Sequence, residues 1–156
     1  MRWFSHMLIA GSTTAVIAPP LVPVALLGST APDWLEWINK ACGNRIEHRT
    51  TTHIVLYWAV ALAIALGVWD YHGILAAFAY GGLTHVLADA LTIMGVPLTP
   101  FSDRRWNLMG GRLRTGDSGE LMVAGGIAVV CFFIAGQLHT TSDFFPVFYP
   151  WGDLYE

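Results

Sequence analysis

The stretch from Leu121 to Leu138 reads LMVAGGIAVVCFFIAGQL and carries no charged residue over 18 positions. A membrane-spanning helix needs roughly 17–25 predominantly apolar residues. This stretch therefore predicts a transmembrane helix.

The composition of the chain also indicates a membrane protein. Of its 156 residues, 54 % are hydrophobic and 12 % are charged, and the mean hydropathy is +0.52. A soluble globular protein carries about 25 % charged residues. Because so few charges cannot cover a water-exposed surface, we exclude a soluble enzyme and a disordered tail. We expect one membrane-embedded helical domain over residues 1–156.

Two further function classes are excluded by charge and cysteine usage. The net charge is −3 and the chain holds eight Lys and Arg residues, too few for a basic patch that binds nucleic acid. Cys42 and Cys131 do not have the spacing of a CxxC motif or a zinc knuckle. The sequence indicates no particular protein partner.

Two more apolar segments form a predicted pair. Ile54–Trp69 is uncharged, and Gly73–Met94 is long enough to return across the membrane. Because only the short polar turn at residues 70–73 separates them, we expect an antiparallel helical hairpin.

The remaining apolar run, Met7–Ala31, is interrupted by Pro19, Pro20 and Pro23. Each proline removes a backbone donor, and in lipid the freed carbonyls need other partners. The run is either a kinked span or a re-entrant hairpin of two half-helices of about 12 residues, and the lengths favour the hairpin. The predicted fold class is therefore all-α: a polytopic helical membrane protein with about four apolar segments, the first broken by prolines.

The basic residues orient the chain in the membrane. The turn at residues 70–73 and the tail after Leu138 carry no Lys or Arg, and the tail is rich in aromatic residues of the kind found at membrane interfaces. The positive-inside rule places the basic loops in the cytoplasm and the turn and tail outside. These basic residues are Lys40, Arg45 and Arg49 before the second segment, and Arg104, Arg105, Arg112 and Arg114 before the last.

Ionisable residues gather at the predicted cytoplasmic end of the membrane layer. His85 and Asp89 lie four positions apart, so their side chains share one helix face. A carboxylate within a span normally faces a partner or a cavity. The pair either links two helices by hydrogen bonds or is part of a larger functional site. The residues at this depth are Asp33, His48, His53, His85 and Asp89.

The additional histidines favour a metal site over a hydrogen-bonded pair that only links two helices. Imidazole and carboxylate together are ligands for zinc or a similar divalent ion. His6 and Glu36 are weaker candidates. His6 can join only if the first segment folds back, because about 27 residues of straight helix would place it roughly 40 Å from Asp33.

Other polar residues have ordinary interpretations. We expect Asp70 and His72 to be solvated in the outer turn and His139 to lie at the outer interface. The seven tryptophans are expected at the interface or in the core.

The ordered motifs resemble a known family. His48-Arg49-x-x-Thr52-His53, followed by His85-x-x-x-Asp89-x-x-Thr92-x-x-Gly95-Val96-Pro97, is similar to the YdjM-like family of LexA-regulated inner-membrane proteins, described as metal-dependent hydrolases. The resemblance spans roughly residues 6–125. Leu35 stands where the family commonly has a second acidic residue, with Glu36 beside it, and Thr50 stands where it usually has glycine. Further similar features are His6, Pro32-Asp33 and the stretch from Arg114 to Glu120.

The residues and the resemblance together predict a membrane-embedded, metal-dependent hydrolase at the cytoplasmic face of the bacterial inner membrane. The substrate would be a membrane lipid or a lipid-linked molecule, with a phosphoester favoured by the nearby arginines. Glu120 or Glu36 would be the general base, and Arg49, Arg105 or Arg114 would hold an anionic group. The metal, zinc or manganese, would be held by His6, Asp33, His48, His53, His85 and Asp89.

A second hypothesis is a non-enzymatic accessory or structural membrane protein whose His/Asp site holds a metal without catalysis. A small transporter is disfavoured, because the polar residues gather at one end and Leu121–Leu138 offers no polar path.

Overall fold

The structure is a computed structural model that describes residues 1–43, 51–68, 70–102, 104–108, 110 and 112–144. The described chain is mostly helical. It departs from an all-α fold in one short antiparallel pair of strands, in which Val96 faces Trp106 and Pro97 faces Arg105. The elements are α1 (Trp3–Ile17), α2 (Val22–Ala41), α3 (Val55–Gly67), α4 (Ile74–Ala90), β1 (Val96–Pro97), β2 (Arg105–Trp106), α5 (Ser118–Leu138) and α6 (Thr141–Phe144).

Helix α5 contains the predicted transmembrane stretch. Among the described helices it alone has both the length and the hydropathy to cross a membrane, with 21 residues and a mean hydropathy of 2.2. Its apolar side chains are largely exposed, as at Met122 (75 %) and Phe133 (70 %). The core helix of a soluble protein would bury such residues.

Helices α3 and α4 are apolar but have 13 and 17 residues, fewer than the roughly 20 of a typical span.

The proline-broken first segment folds back on itself, as the prolines predicted. Pro19–Leu21 form a single 3₁₀ turn between α1 and α2. At the start of α1, the Trp3 indole Nε1–H donates a hydrogen bond to Asp33 Oδ2, in the second half of α2, at 2.6 Å. The expected helix length of about 12 residues was wrong. The helices have 15 and 20 residues, because α2 continues through Pro32 as far as Ala41.

The break is covered by the end of α5. Pro20 has no N–H, so the Val16 carbonyl loses its partner four residues along the helix. His139, which follows α5, supplies the missing contact: its Nε2 lies 2.9 Å from the Val16 oxygen. His139 is thus a structural cap of the broken helix and more than the interfacial residue that the sequence suggested.

Helices α2 and α4 approach closely at two glycines. A Cβ added to Gly28 would lie 2.1 Å from the Phe78 carbonyl oxygen, and one added to Gly81 would lie 2.2 Å from the Ala25 carbonyl oxygen. Only glycine allows the two backbones this separation. The contact brings the Ser29 carbonyl within reach of α4.

Helices α3 and α4 form the predicted hairpin. The Trp58 ring lies over Gly82, where an added Cβ would meet the ring at 2.0 Å. At the other end, Asp70 accepts hydrogen bonds from the backbone N–H groups of Leu75 (2.9 Å) and Ala76 (2.7 Å). Asp70 therefore caps α4, whereas the sequence suggested a solvated carboxylate.

The segment between α4 and α5 folds over the end of the bundle. Backbone bonds join Ile93 N–H to the Leu113 carbonyl (2.9 Å) and Leu108 N–H to the Ala90 carbonyl (2.8 Å). These bonds hold the segment against the end of α4, where His85 and Asp89 lie.

Candidate metal centre

Five polar side chains from four parts of the fold meet at this end of the bundle. His6 comes from α1, His85 and Asp89 from α4, Asp33 from α2, and His53 from the 3₁₀ turn before α3. Their side chains are 2 % exposed or less, apart from Asp33 at 20 %. Two overlapping groups, His6–His85–Asp89 and Asp33–His53–His85, have ligand atoms within 4.8 Å of one another and could hold a metal ion.

Four of these side chains place nitrogen and oxygen atoms alternately around a ring. Asp33 Oδ1 lies 3.3 Å from His53 Nε2 and 3.7 Å from His85 Nε2. Asp89 Oδ2 lies 3.8 Å and 3.7 Å from the same two nitrogens. Ligand atoms about 2.0–2.1 Å from a tetrahedral zinc ion are about 3.3–3.4 Å apart. The ring is therefore close to the size that a small divalent ion requires.

The orientation of His85 is set by the close contact of α2 and α4. Its Nδ1 lies 2.5 Å from the Ser29 carbonyl oxygen, which can only accept, so Nδ1 carries the proton. In the neutral ring, Nε2 then presents a lone pair toward the two carboxylates. Metal-ligating histidines almost always donate their second ring nitrogen in this way.

His53 is oriented by groups on its other side. Its Nδ1 lies 3.1 Å from Thr52 Oγ1 and 3.8 Å from Glu36 Oε2, while Glu36 Oε1 pairs with Lys40 Nζ at 2.5 Å. The Trp58 indole N–H donates to the Thr52 carbonyl at 2.8 Å and fixes the turn that carries His53. These contacts leave His53 Nε2 facing the carboxylates.

His6 completes the cluster from the opposite side. Its ring stacks on His85 with centroids 3.7 Å apart and planes 12° apart, and its Nε2 lies 3.4 Å from Asp89 Oδ1. The Met1 amino group forms a buried ion pair with the same oxygen. Neither ring nitrogen of His6 makes a hydrogen bond within the described ranges.

Glu120, an expected general base, lies buried at the start of α5 and is heavily hydrogen-bonded. Its Oε1 accepts from the Arg2 backbone N–H and the Ser5 hydroxyl, and its Oε2 accepts from the Gly116 N–H, each at 2.6 Å. These bonds anchor the first turn of α1, which carries His6, to α5.

The remaining predicted residues divide into two groups. His48 and Arg49 lie outside the described residues. Arg105 on β2 and Arg114 are exposed. Glu36 is buried and contacts His53, so it joins the surroundings of the cluster.

Sequence reasoning missed the groups that orient the ligands. Trp3, Ser29 and Trp58 act through an indole N–H or a backbone carbonyl, and their pairings cross between helices. No local spacing indicates such pairs. The glycines at positions 28 and 81 were the available signal, since a glycine in a helix interior often marks a close backbone approach.

The fold and the cluster together define a helical membrane protein with a buried group of His and Asp side chains that could hold a metal ion. The chain belongs to the YdjM inner membrane protein family, whose model matches residues 1–142. It is therefore an inner membrane protein. No curated protein and no solved structure matches it.

Proposed function

We propose that this chain is a membrane-embedded, metal-dependent hydrolase that acts at the cytoplasmic membrane interface. Asp33, His53, His85 and Asp89 would hold a divalent ion, zinc or manganese, with His6 beside them and His48 as a further ligand. The substrate would be a membrane lipid or a lipid-linked molecule with a phosphoester bond.

The observation that carries the proposal is the environment of His85 Nε2. This nitrogen is buried, makes no hydrogen bond among the described residues, and faces Asp33 Oδ1 and Asp89 Oδ2 at 3.7 Å. Those distances exceed the roughly 2.7–3.2 Å of an N–H···O hydrogen bond. A lone pair facing two carboxylate oxygens is repulsive, and a cation between them turns the contact into an attractive one, so the donor set fits a metal ion.

The chemistry follows from that donor set. A divalent ion, when bound, lowers the pKa of a coordinated water toward ~7 and polarises the bond under attack. The described residues orient the ligands and bury four of the five side chains, whereas Asp33 stays 20 % exposed. Glu36, which contacts His53, or Glu120 would accept the proton from the attacking water. Arg49, Arg105 or Arg114 would hold the anionic group of the substrate.

The proposed arrangement in the membrane follows the charges. Arg2, Lys40 and the arginines that precede α5 would lie on the cytoplasmic side with the cluster. The α1–α2 pair would be a re-entrant hairpin, α3–α4 a second hairpin and α5 a complete span.

A structural metal site is the second candidate function. Structural zinc sites are closed, and the low exposure of His6, His53, His85 and Asp89 fits that class. The 20 % exposure of Asp33 favours the catalytic alternative, because it leaves a route to the cluster.

Metal analysis of the purified protein in detergent tests the proposal. We expect at least one equivalent of zinc or manganese, lost in His85→Ala and retained in the control His72→Ala. Substoichiometric metal in folded wild-type protein, unchanged by His85→Ala, would contradict it. Cleavage of anionic phospholipid vesicles by wild type and not by Asp33→Ala separates the hydrolase from the structural site.

A further inference from the structure

Asp33 is the exposed edge of the candidate metal centre. Among the described cluster residues, its side chain is 20 % exposed, whereas the other four are at most 2 % exposed. The strands and the loop after α4 cover the end of α4. Within the described ranges, Asp33 is therefore the cluster residue most open to an incoming ion or substrate.

The two oxygens of Asp33 have different partners. Oδ1 lies 3.3 Å from His53 Nε2 and 3.7 Å from His85 Nε2. Oδ2 accepts the Trp3 indole N–H at 2.6 Å, a short hydrogen bond across the α1–α2 hairpin. The bond to Trp3 thus fixes which oxygen faces the imidazoles.

We propose that Trp3 is a positioning residue of the metal centre that also covers its approach. This inference rests on the metal-binding role proposed above. The indole N–H keeps Asp33 Oδ1 directed at His53 and His85, and the ring lies beside the exposed carboxylate. Hydrogen bonds to metal-ligating carboxylates are part of what sets metal affinity, and their loss typically costs 10–100-fold.

Two exposed tryptophans beside Asp33 favour an approach from the membrane interface. Trp3 is 56 % exposed at the first turn of α1, and Trp37, one turn beyond Asp33 on α2, is 70 % exposed. Tryptophan is enriched at the level of the lipid headgroups. The polar end of a membrane-resident molecule can therefore reach Asp33 directly from the interface.

Titration of the purified full chain with Co²⁺ tests the proposal, with the visible absorption of the bound ion as the readout. Trp3→Phe keeps a ring and removes the N–H, so we expect affinity to fall 10–100-fold and the absorption bands to shift. Trp3→Ala should show the same loss and also faster removal of Co²⁺ by EDTA. Trp37→Phe and Trp37→Ala, at a comparably exposed tryptophan, should behave as wild type.

The outcomes separate this inference from the proposed function. If wild-type protein binds no Co²⁺, both are overturned. If wild type binds Co²⁺ and the Trp3 variants match it in affinity and spectrum, only the role of Trp3 is overturned. Trp3→Leu also has no side-chain donor and provides the same comparison should Trp3→Phe fail to fold.

Discussion

His85 Nδ1 lies 2.5 Å from the backbone carbonyl oxygen of Ser29, so a helix backbone on α2 determines how a histidine on α4 is oriented. This contact exists because α2 and α4 meet at Gly28 and Gly81, where side chains would hold the backbones apart. The geometry of the candidate site therefore depends on two residues that carry no functional group.

Replacement of either glycine should disturb both stability and metal binding. Gly81→Ala places a Cβ 2.2 Å from the Ala25 carbonyl oxygen, and because backbone cannot move aside cheaply, we expect a loss of about 1–3 kcal/mol or more. Thermal unfolding in detergent and Co²⁺ titration measure the two effects. Gly125→Ala on α5, where an added Cβ meets nothing within 4 Å, is the matched control and should be neutral or stabilising. Equal behaviour of the two variants would contradict the close-contact argument.

Trp58→Phe should weaken metal binding more than it weakens the fold. A smaller aromatic ring remains beside Gly82, while the hydrogen bond to the Thr52 carbonyl is lost and the turn that carries His53 is released. We expect a 10–100-fold lower Co²⁺ affinity with a stability loss of about 1 kcal/mol. An unchanged Co²⁺ affinity would show that the turn is held by other contacts.

Glu120→Gln distinguishes an anchoring role from a general-base role. The amide of glutamine has an NH₂ group in place of one carboxylate oxygen, and this group faces partners that are themselves donors. If Glu120 is an anchor, we therefore expect the substitution to lower the free energy of unfolding by about 1–3 kcal/mol. A double-mutant cycle with Ser5→Ala should give a coupling free energy of about 0.5–3 kcal/mol, because Ser5 donates directly to Glu120. A variant that loses hydrolysis while keeping wild-type stability would support the base and argue against the anchor.

Native Cys42 reports the orientation of the chain. It is free and exposed just after α2, at the end of the bundle that carries the cluster. We expect a membrane-impermeant maleimide to label it in inverted vesicles and not in intact spheroplasts. Gln137→Cys in a Cys42→Ser background, at the opposite end of α5, should show the reverse pattern. Labelling of Cys42 from outside would refute the proposed topology.

His139→Ala should destabilise the proline-broken helix pair. It removes the donor to the part-buried Val16 carbonyl, and we expect the lost hydrogen bond to cost about 1 kcal/mol. Exposed Gln137, two residues earlier in the last turn of α5, provides the control Gln137→Ala, which should change the unfolding temperature little. Coincident unfolding curves for the two variants would show that another group satisfies this carbonyl.

The parts of the fold that could be predicted from sequence are those with local causes. The uncharged run at Leu121–Leu138 predicted α5, three prolines predicted the break after α1, and the spacing of His85 and Asp89 predicted a shared face. The contacts of Trp3, Glu120 and His139 could not be predicted in this way. Pro20 indicates that the Val16 carbonyl needs a donor, but periodicity does not identify one 123 positions away.

The anchor between Ser5 and Glu120 joins residues 115 positions apart, and this has a consequence for synthesis. At about 5–20 residues per second, the ribosome needs roughly 6–23 s to reach Glu120 after Ser5. Until then the first turn of α1 lacks its contacts with Glu120, although its partners Asp33 on α2 and His85 on α4 are made earlier. Each new copy therefore completes the anchor of its first turn only when the last long helix begins to emerge.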